Sequence, residues 1–115
     1  MATVSVRYIV HDVDAAIAFY RDNLGFTEVM HPAPAFAMLS LGDLRLVLSA
    51  PGGGPGGGQA MPVGSVPEPG GWNRFAIEVP EIVHGVGGDQ ILAEDPSGNL
   101  VELFEPARPE ARLDR

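Results

Sequence analysis

The sequence contains no cysteine and no lysine. The first absence excludes disulfide staples, zinc–thiolate sites and cysteine nucleophiles. The second leaves seven arginines as the only basic side chains against 15 acidic ones, for a net charge of −8. Such a chain has no basic footprint for a phosphate backbone or an anionic lipid surface, which argues against nucleic-acid and membrane partners. Nowhere does it carry the run of about 18 apolar residues that reads as a membrane-spanning helix. Its start, MATVSVRYIVHD, lacks the basic opening and continuous apolar stretch of a signal peptide. A soluble, cytoplasmic protein is the expectation.

What is present fits one small domain. A chain of 115 residues, 45% of them apolar, is expected to bury roughly two thirds of its unfolded surface. Fifteen glycines and 11 prolines point to short strands joined by many turns. Residues 3–10 are rich in β-branched side chains and alternate Val4, Val6, Tyr8 and Val10 against Ser5, Arg7 and Ile9, the period of a strand. Asp12 can cap a helix and Asp14 suits its first turn. Val13, Ala16, Ile17, Tyr20 and Leu24 then form an apolar stripe at helical spacing that Gly25 ends. Strands follow over 26–31, 36–41 and 44–49, with turns at 32–35 and at Gly42 and Asp43. The first module, residues 1–50, therefore reads β-α-β-β-β.

A Gly/Pro tract over 51–71, PGGGPGGGQAMPVGSVPEPGG, packs no core and reads as a linker. It lacks the lysine and the strand-to-helix context of a phosphate loop, as do Gly87 and Gly88. Beyond it, strands are expected over 72–79, 89–94 and 100–105, the last two joined by the turn Asp95-Pro96-Ser97-Gly98-Asn99. This second module, 72–106, repeats most of the first but has no evident helix. Between Val79 and Gly85 stand only five residues, too few for a helix and a strand. Residues 107–115 form a tail.

Three stretches carry a resemblance: the first strand running into HDVDAAIAFYRDNLGF at 11–26, WNRFAIEV at 72–79, and GGDQILAEDPSGNLVELFEP at 87–106. Together, in that order and spacing, they resemble the vicinal oxygen chelate superfamily, which holds glyoxalase I, fosfomycin- and bleomycin-resistance proteins, methylmalonyl-CoA epimerase and extradiol dioxygenases. The resemblance implies an α+β fold in which two βαβββ modules curl into a cup, commonly as a homodimer. In metal-dependent members it implies a divalent ion held by side chains from the first, fourth, fifth and eighth strands. Those positions fall here on Ser5, on or near Val47, on Arg74 and on Glu102. Serine is a poor ligand, valine is none, Arg45 or Leu46 one register away serve no better, and a guanidinium repels a cation. Glu102 alone fits, whereas a catalytic site needs about three protein ligands and an open position. No metal or other cofactor is expected.

On that frame, strand alternation turns Ser5, Arg7, Arg45, Val47, Arg74, Ala76 and Glu102 into the cup. Arg74 is expected to reach Glu102 as a bidentate pair where relatives place a metal. The pair serves either to satisfy two buried polar groups or, with Arg7 and Arg45, to receive an anionic ligand. Trp72 either anchors the strand after the linker or stacks a flat ligand at the mouth. The candidate ligand-binding residues are thus Arg7, Arg45, Val47, Trp72, Arg74 and Glu102. His11 at a helix entry, His31 before Pro32 and His84 in a turn share no face and read as exposed or capping.

Without its own helix, the second module is expected to expose Phe75, Ile77, Val79, Val101 and Leu103. A partner, the linker or tail, or a segment missing between Val79 and His84 would have to cover them. Two functions stay open: a metal-free binding protein that sequesters a small molecule, and an enzyme (a lyase, isomerase or dioxygenase) using Glu102 as a base, with or without a divalent metal.

Overall fold

The computed structural model describes residues 3–52, 62–79 and 90–105. β1 spans Val4–Ile9 and leads into α1, Val13–Leu24. The helix starts because Asp12, in extended backbone, accepts the Ala15 amide on Oδ1 at 3.1 Å. It stops because Gly25 takes a left-handed conformation, φ 80°, and returns its amide to the Tyr20 carbonyl. β2 (Thr27–Ala33), β3 (Phe36–Leu41) and β4 (Leu44–Ser49) complete the first module. Its sheet has the order β1-β4-β3-β2, with β1 and β4 parallel and the other neighbours antiparallel.

The second sheet consists of β5 (Phe75–Glu78), β6 (Gln90–Glu94) and β7 (Leu100–Phe104) in the order β5-β7-β6. Its opening strand is parallel to its closing strand, which is antiparallel to the one before it. The first sheet repeats that relationship in β1, β4 and β3. The architecture is α+β: a βαβββ module and a three-stranded second sheet, with no helix in the second module among the described residues.

Two element boundaries differ from expectation by more than one residue. β2 continues through Pro32 to Ala33, which shortens the turn to Pro34 and Ala35. β2 is an edge strand, where a missing backbone N–H costs the ladder little, and its register is already broken by irregularities. β5 begins at Phe75, not at Trp72. Gly70 and Gly71 hold φ values of 101° and 96°, so the chain is still turning as it enters Trp72.

The core lies under α1. Val13, Ala16, Ile17 and Tyr20 of the helix pack on Tyr8, Ala37, Leu39, Leu46 and Leu48 of the first sheet. Each Val, Leu or Ile among them contributes on the order of 1.5–3 kcal/mol by leaving water. Val101 is buried in the same core and Phe75, Ile77 and Leu103 pack against it half-buried, which corrects the expectation that these four face outward uncovered; Val79 is half-buried outside that core. The helix packs on the first sheet, and the two sheets meet at an aromatic seam that Tyr20, Tyr8 and Phe26 form with Phe75. The Phe75 ring lies 5.3 Å from Tyr8, 6.2 Å from Phe26 and 6.4 Å from Tyr20. The stretch suspected of lacking a helix, and the continuity of the chain from Val79 to His84, fall on residues 80–89, outside the described residues, as does the tail.

Candidate functional site

With one face of each sheet committed to the core, strand alternation assigns the remaining side chains to the opposite, open face. In the first sheet, pairing aligns Arg7 with Val47, Val47 with Met38, and Met38 with Met30, one row across all four strands. The neighbouring row runs Ser5, Arg45, Ser40, Thr27. Ser5 and Arg7 are exposed. Arg7 makes no hydrogen bond or ion pair among the described residues. Arg45 directs Nη1 at the Gly42 carbonyl over a long 3.4 Å. Val47 is only 6% exposed yet lies outside the cluster beneath α1, as the alternation requires.

On the open face of the second sheet, Ala76 and Leu92 flank Glu102. Arg74, two residues before Ala76, donates from Nε to Glu102 Oε1 at 2.9 Å and from Nη1 to the Trp72 carbonyl at 3.2 Å. The two side chains are 33% and 14% exposed. A carboxylate so shielded needs a compensating charge, and the guanidinium supplies it. The Trp72 ring stands in solvent, the residue being 79% exposed; its backbone, through the carbonyl, is what engages Arg74.

The structure thus brings Arg74 to Glu102, Arg7 beside Val47, and Ser5 beside Arg45. It places His11 at an exposed position and leaves His31 Nε2 3.7 Å from Asp14 Oδ1 at the start of α1; His84 lies outside the described residues. Among the described residues, no three His, Asp or Glu side chains group to hold an ion. The donor set at the four positions to which the resemblance assigns a metal does not fit a divalent cation. Ser5 offers one neutral hydroxyl, Val47 offers nothing, and a cation already occupies the carboxylate of Glu102.

A second polar cluster was not foreseen. Asp95, 4% exposed, accepts four hydrogen bonds. Oδ2 takes the Tyr20 hydroxyl at 2.8 Å and Asn99 Nδ2 at 3.0 Å; Oδ1 takes the amides of Ser97 and Asn99, each at 2.9 Å. Asn99 Nδ2 also donates to the Ile9 carbonyl at 2.8 Å, and Asn99 Oδ1 accepts the Gly70 amide at 2.8 Å. Ser97 Oγ accepts the His11 amide at 2.8 Å. Tyr8 completes the seam, donating to the Leu100 carbonyl at 2.6 Å and accepting the Phe75 amide at 3.3 Å. Burial first, and the Asp95 charge second, push the Tyr20 hydroxyl far above the ordinary tyrosine range. Burial also raises Tyr8. Both hydroxyls therefore remain fixed donors. The turn sequence carried the signal, since Asp and Asn side chains bond the backbone of their own turn. Its reach across the seam to Tyr20 and β1 is tertiary.

Residues 4–42 match the family described as bleomycin resistance protein-like N-terminal. No curated protein matches the sequence. Among solved structures, a lactoylglutathione lyase from Agrobacterium tumefaciens superposes with a TM-score of 0.67 at 21% identity, over 90% of this chain and 92% of that one. The bleomycin-binding protein of bleomycin-producing Streptomyces verticillus, complexed with copper(II)-bleomycin, gives 0.59 at 18% identity, over 92% and 97%. An antibiotic binding protein from a Streptomyces species gives 0.64 at 18%, over 93% and 97%.

Proposed function

We propose, taking as premise that the chain is by fold a member of the glyoxalase/bleomycin resistance protein/dioxygenase superfamily, that it is a metal-independent small-molecule-binding protein. The observation that carries this reading is the 2.9 Å contact of Arg74 with Glu102. The guanidinium occupies the carboxylate that a metal or a catalytic proton would require, so Glu102 is neither a free ligand nor a free base. That arrangement weighs against the enzymatic reading.

The antibiotic-binding relatives supply precedent for a ligand in this fold, and the open face of the first sheet supplies a surface with apolar area and hydrogen-bond donors together. A homodimer, the assembly the resemblance implies, belongs to the same proposal and is tested by light scattering.

A thermal-shift experiment tests the function. Chelator and added zinc, nickel or manganese leave the unfolding temperature unchanged, whereas at least one member of a library of aromatic and polyfunctional small molecules raises it by mass action. A divalent ion retained at one per chain through purification, with loss of stability on its removal, overturns the reading.

A further inference from the structure

The open face of the first sheet differs in charge from the rest of the molecule. The chain carries 15 acids against seven arginines, yet the two rows described above hold Arg7 and Arg45 and no acid. The third row, Ile9, Ser49, Phe36 and Ala33, adds no acid either. A protein of net charge −8 presents a locally cationic surface here. Such a surface selects against cations that the remainder of the molecule attracts.

Arg7 is the focus. It is exposed on a regular strand and, among the described residues, unpartnered, with a five-donor fork that matches a carboxylate, sulfonate or phosphate. Beside it runs an apolar row that opens outward from Val47, 6% exposed, through half-buried Met38 to Met30, 42% exposed. Three strand spacings separate Arg7 from Met30, roughly 14 Å, enough for a fused-ring body lying along the row with its acid group at Arg7. Methionine side chains adapt to flat ligands of varied outline. On the other side of Arg7, the hydroxyl of Ser5 and the guanidinium of Arg45 sit in adjacent register and add donors for the same anion.

We propose that the ligand of this protein is an amphipathic organic anion, with Arg7 as the receptor for its acid group and Met38 and Met30, backed by buried Val47, as the bed for its apolar body. The proposal rests on the small-molecule-binding reading above and narrows it to one charge class.

The test uses the full chain and two fluorescent probes that share an aromatic body. These are 8-anilinonaphthalene-1-sulfonate, an anion, and N-phenyl-1-naphthylamine, its uncharged counterpart; a cationic acridine serves as the third arm. The sulfonate binds saturably at one per chain, on the order of tenfold more tightly than the neutral dye, with affinity falling as salt rises. Arg7→Gln removes that advantage and leaves the neutral dye unchanged, Arg7→Lys keeps part of it, and Met38→Ala weakens both dyes. Circular dichroism verifies that each variant is folded. Equal binding of the two naphthalene dyes, untouched by Arg7→Gln, overturns the anion assignment while small-molecule binding stands, as does preference for the acridine. Binding of none of the three overturns both.

Discussion

The Tyr20 hydroxyl donates to Asp95 Oδ2 at 2.8 Å across 75 residues of sequence, and this bond joins the only helix among the described residues to the closing turn of the second sheet. Both partners are buried. Tyr20→Phe keeps the ring and removes one of the four donors to Asp95. The expected loss is about 1–3 kcal/mol, read as a lower urea midpoint at unchanged slope. Asp95→Ala strands the Tyr20 hydroxyl, the Ser97 and Asn99 amides and one bond of Asn99, and costs more than Tyr20→Phe. Equal losses for the two variants would show that the turn does not depend on its carboxylate.

Alkaline pH probes the same bond. The unfolded tyrosine titrates near 10.0, and Tyr20 is raised well above that in the fold. Above pH 10 the unfolded chain therefore holds fewer protons than the native one, so the stabilisation is complete below the unfolded value and is lost as pH rises. The decline is about 1.4 kcal/mol per pH unit for a single such tyrosine. Stability measured from pH 8 to 11 falls above 10 in the wild type, and less steeply in Tyr20→Phe. Parallel profiles would rule out Tyr20 as the source.

Tyr8 spans the seam with two bonds, to the Leu100 carbonyl and from the Phe75 amide. Tyr8→Phe retains the ring contact with Phe75 and loses both bonds. A destabilisation of about 1–2 kcal/mol follows, with faster hydrogen exchange at the Phe75 amide than in the wild type. Unchanged exchange there would mean that the Tyr8 hydroxyl does not hold the Phe75 amide.

A double-mutant cycle addresses Arg74 and Glu102. Arg74→Met leaves a shielded carboxylate without its cation, at a cost of about 1–3 kcal/mol. The double variant Arg74→Met, Glu102→Gln regains part of that loss, because the uncompensated charge is gone. Additive effects in urea unfolding would show that the two side chains are not coupled.

The ends of α1 give separate, local effects. Asp12→Ala removes the cap on the Ala15 amide and costs about 1 kcal/mol. At Gly25 a methyl group would meet no atom within 4 Å, so Gly25→Ala tests backbone conformation alone. Its φ of 80° makes the expected cost on the order of 1 kcal/mol. A neutral result in thermal unfolding would place the helix end elsewhere.

Much of the fold was legible because it is written in local chemistry. The stripe from Val13 to Leu24 between Asp12 and Gly25 specified the helix to the residue. Strand periods located β3 and β4 with the same accuracy. Where a boundary was misjudged the reason was context: Pro32 is tolerated because β2 lies at an edge, and edge position is not a local property. The pairing of Arg74 with Glu102 was also anticipated, because resemblance supplied the adjacency of two strands and alternation supplied the face, but not its form: the contact runs through Nε alone, since Nη1 turns to the Trp72 carbonyl, and is not bidentate.

What the sequence by itself determined is the βαβββ module, the repetition of most of its strand pattern in the second module and, once the resemblance supplies the positions, the poor metal-binding chemistry of Ser5, Val47 and Arg74. Each follows from the identity of single residues or from a period of a few. Only the tertiary structure decided that the second sheet meets the core at an aromatic seam, so that Val101 is buried in that core and Phe75 packs against it. It alone decided that Asp95 meets Tyr20, and that Arg7, Val47, Met38 and Met30 form one row. These arrangements depend on register and on the approach of segments many residues apart, and no local pattern encodes which distant group will satisfy a buried polar atom or share a sheet face.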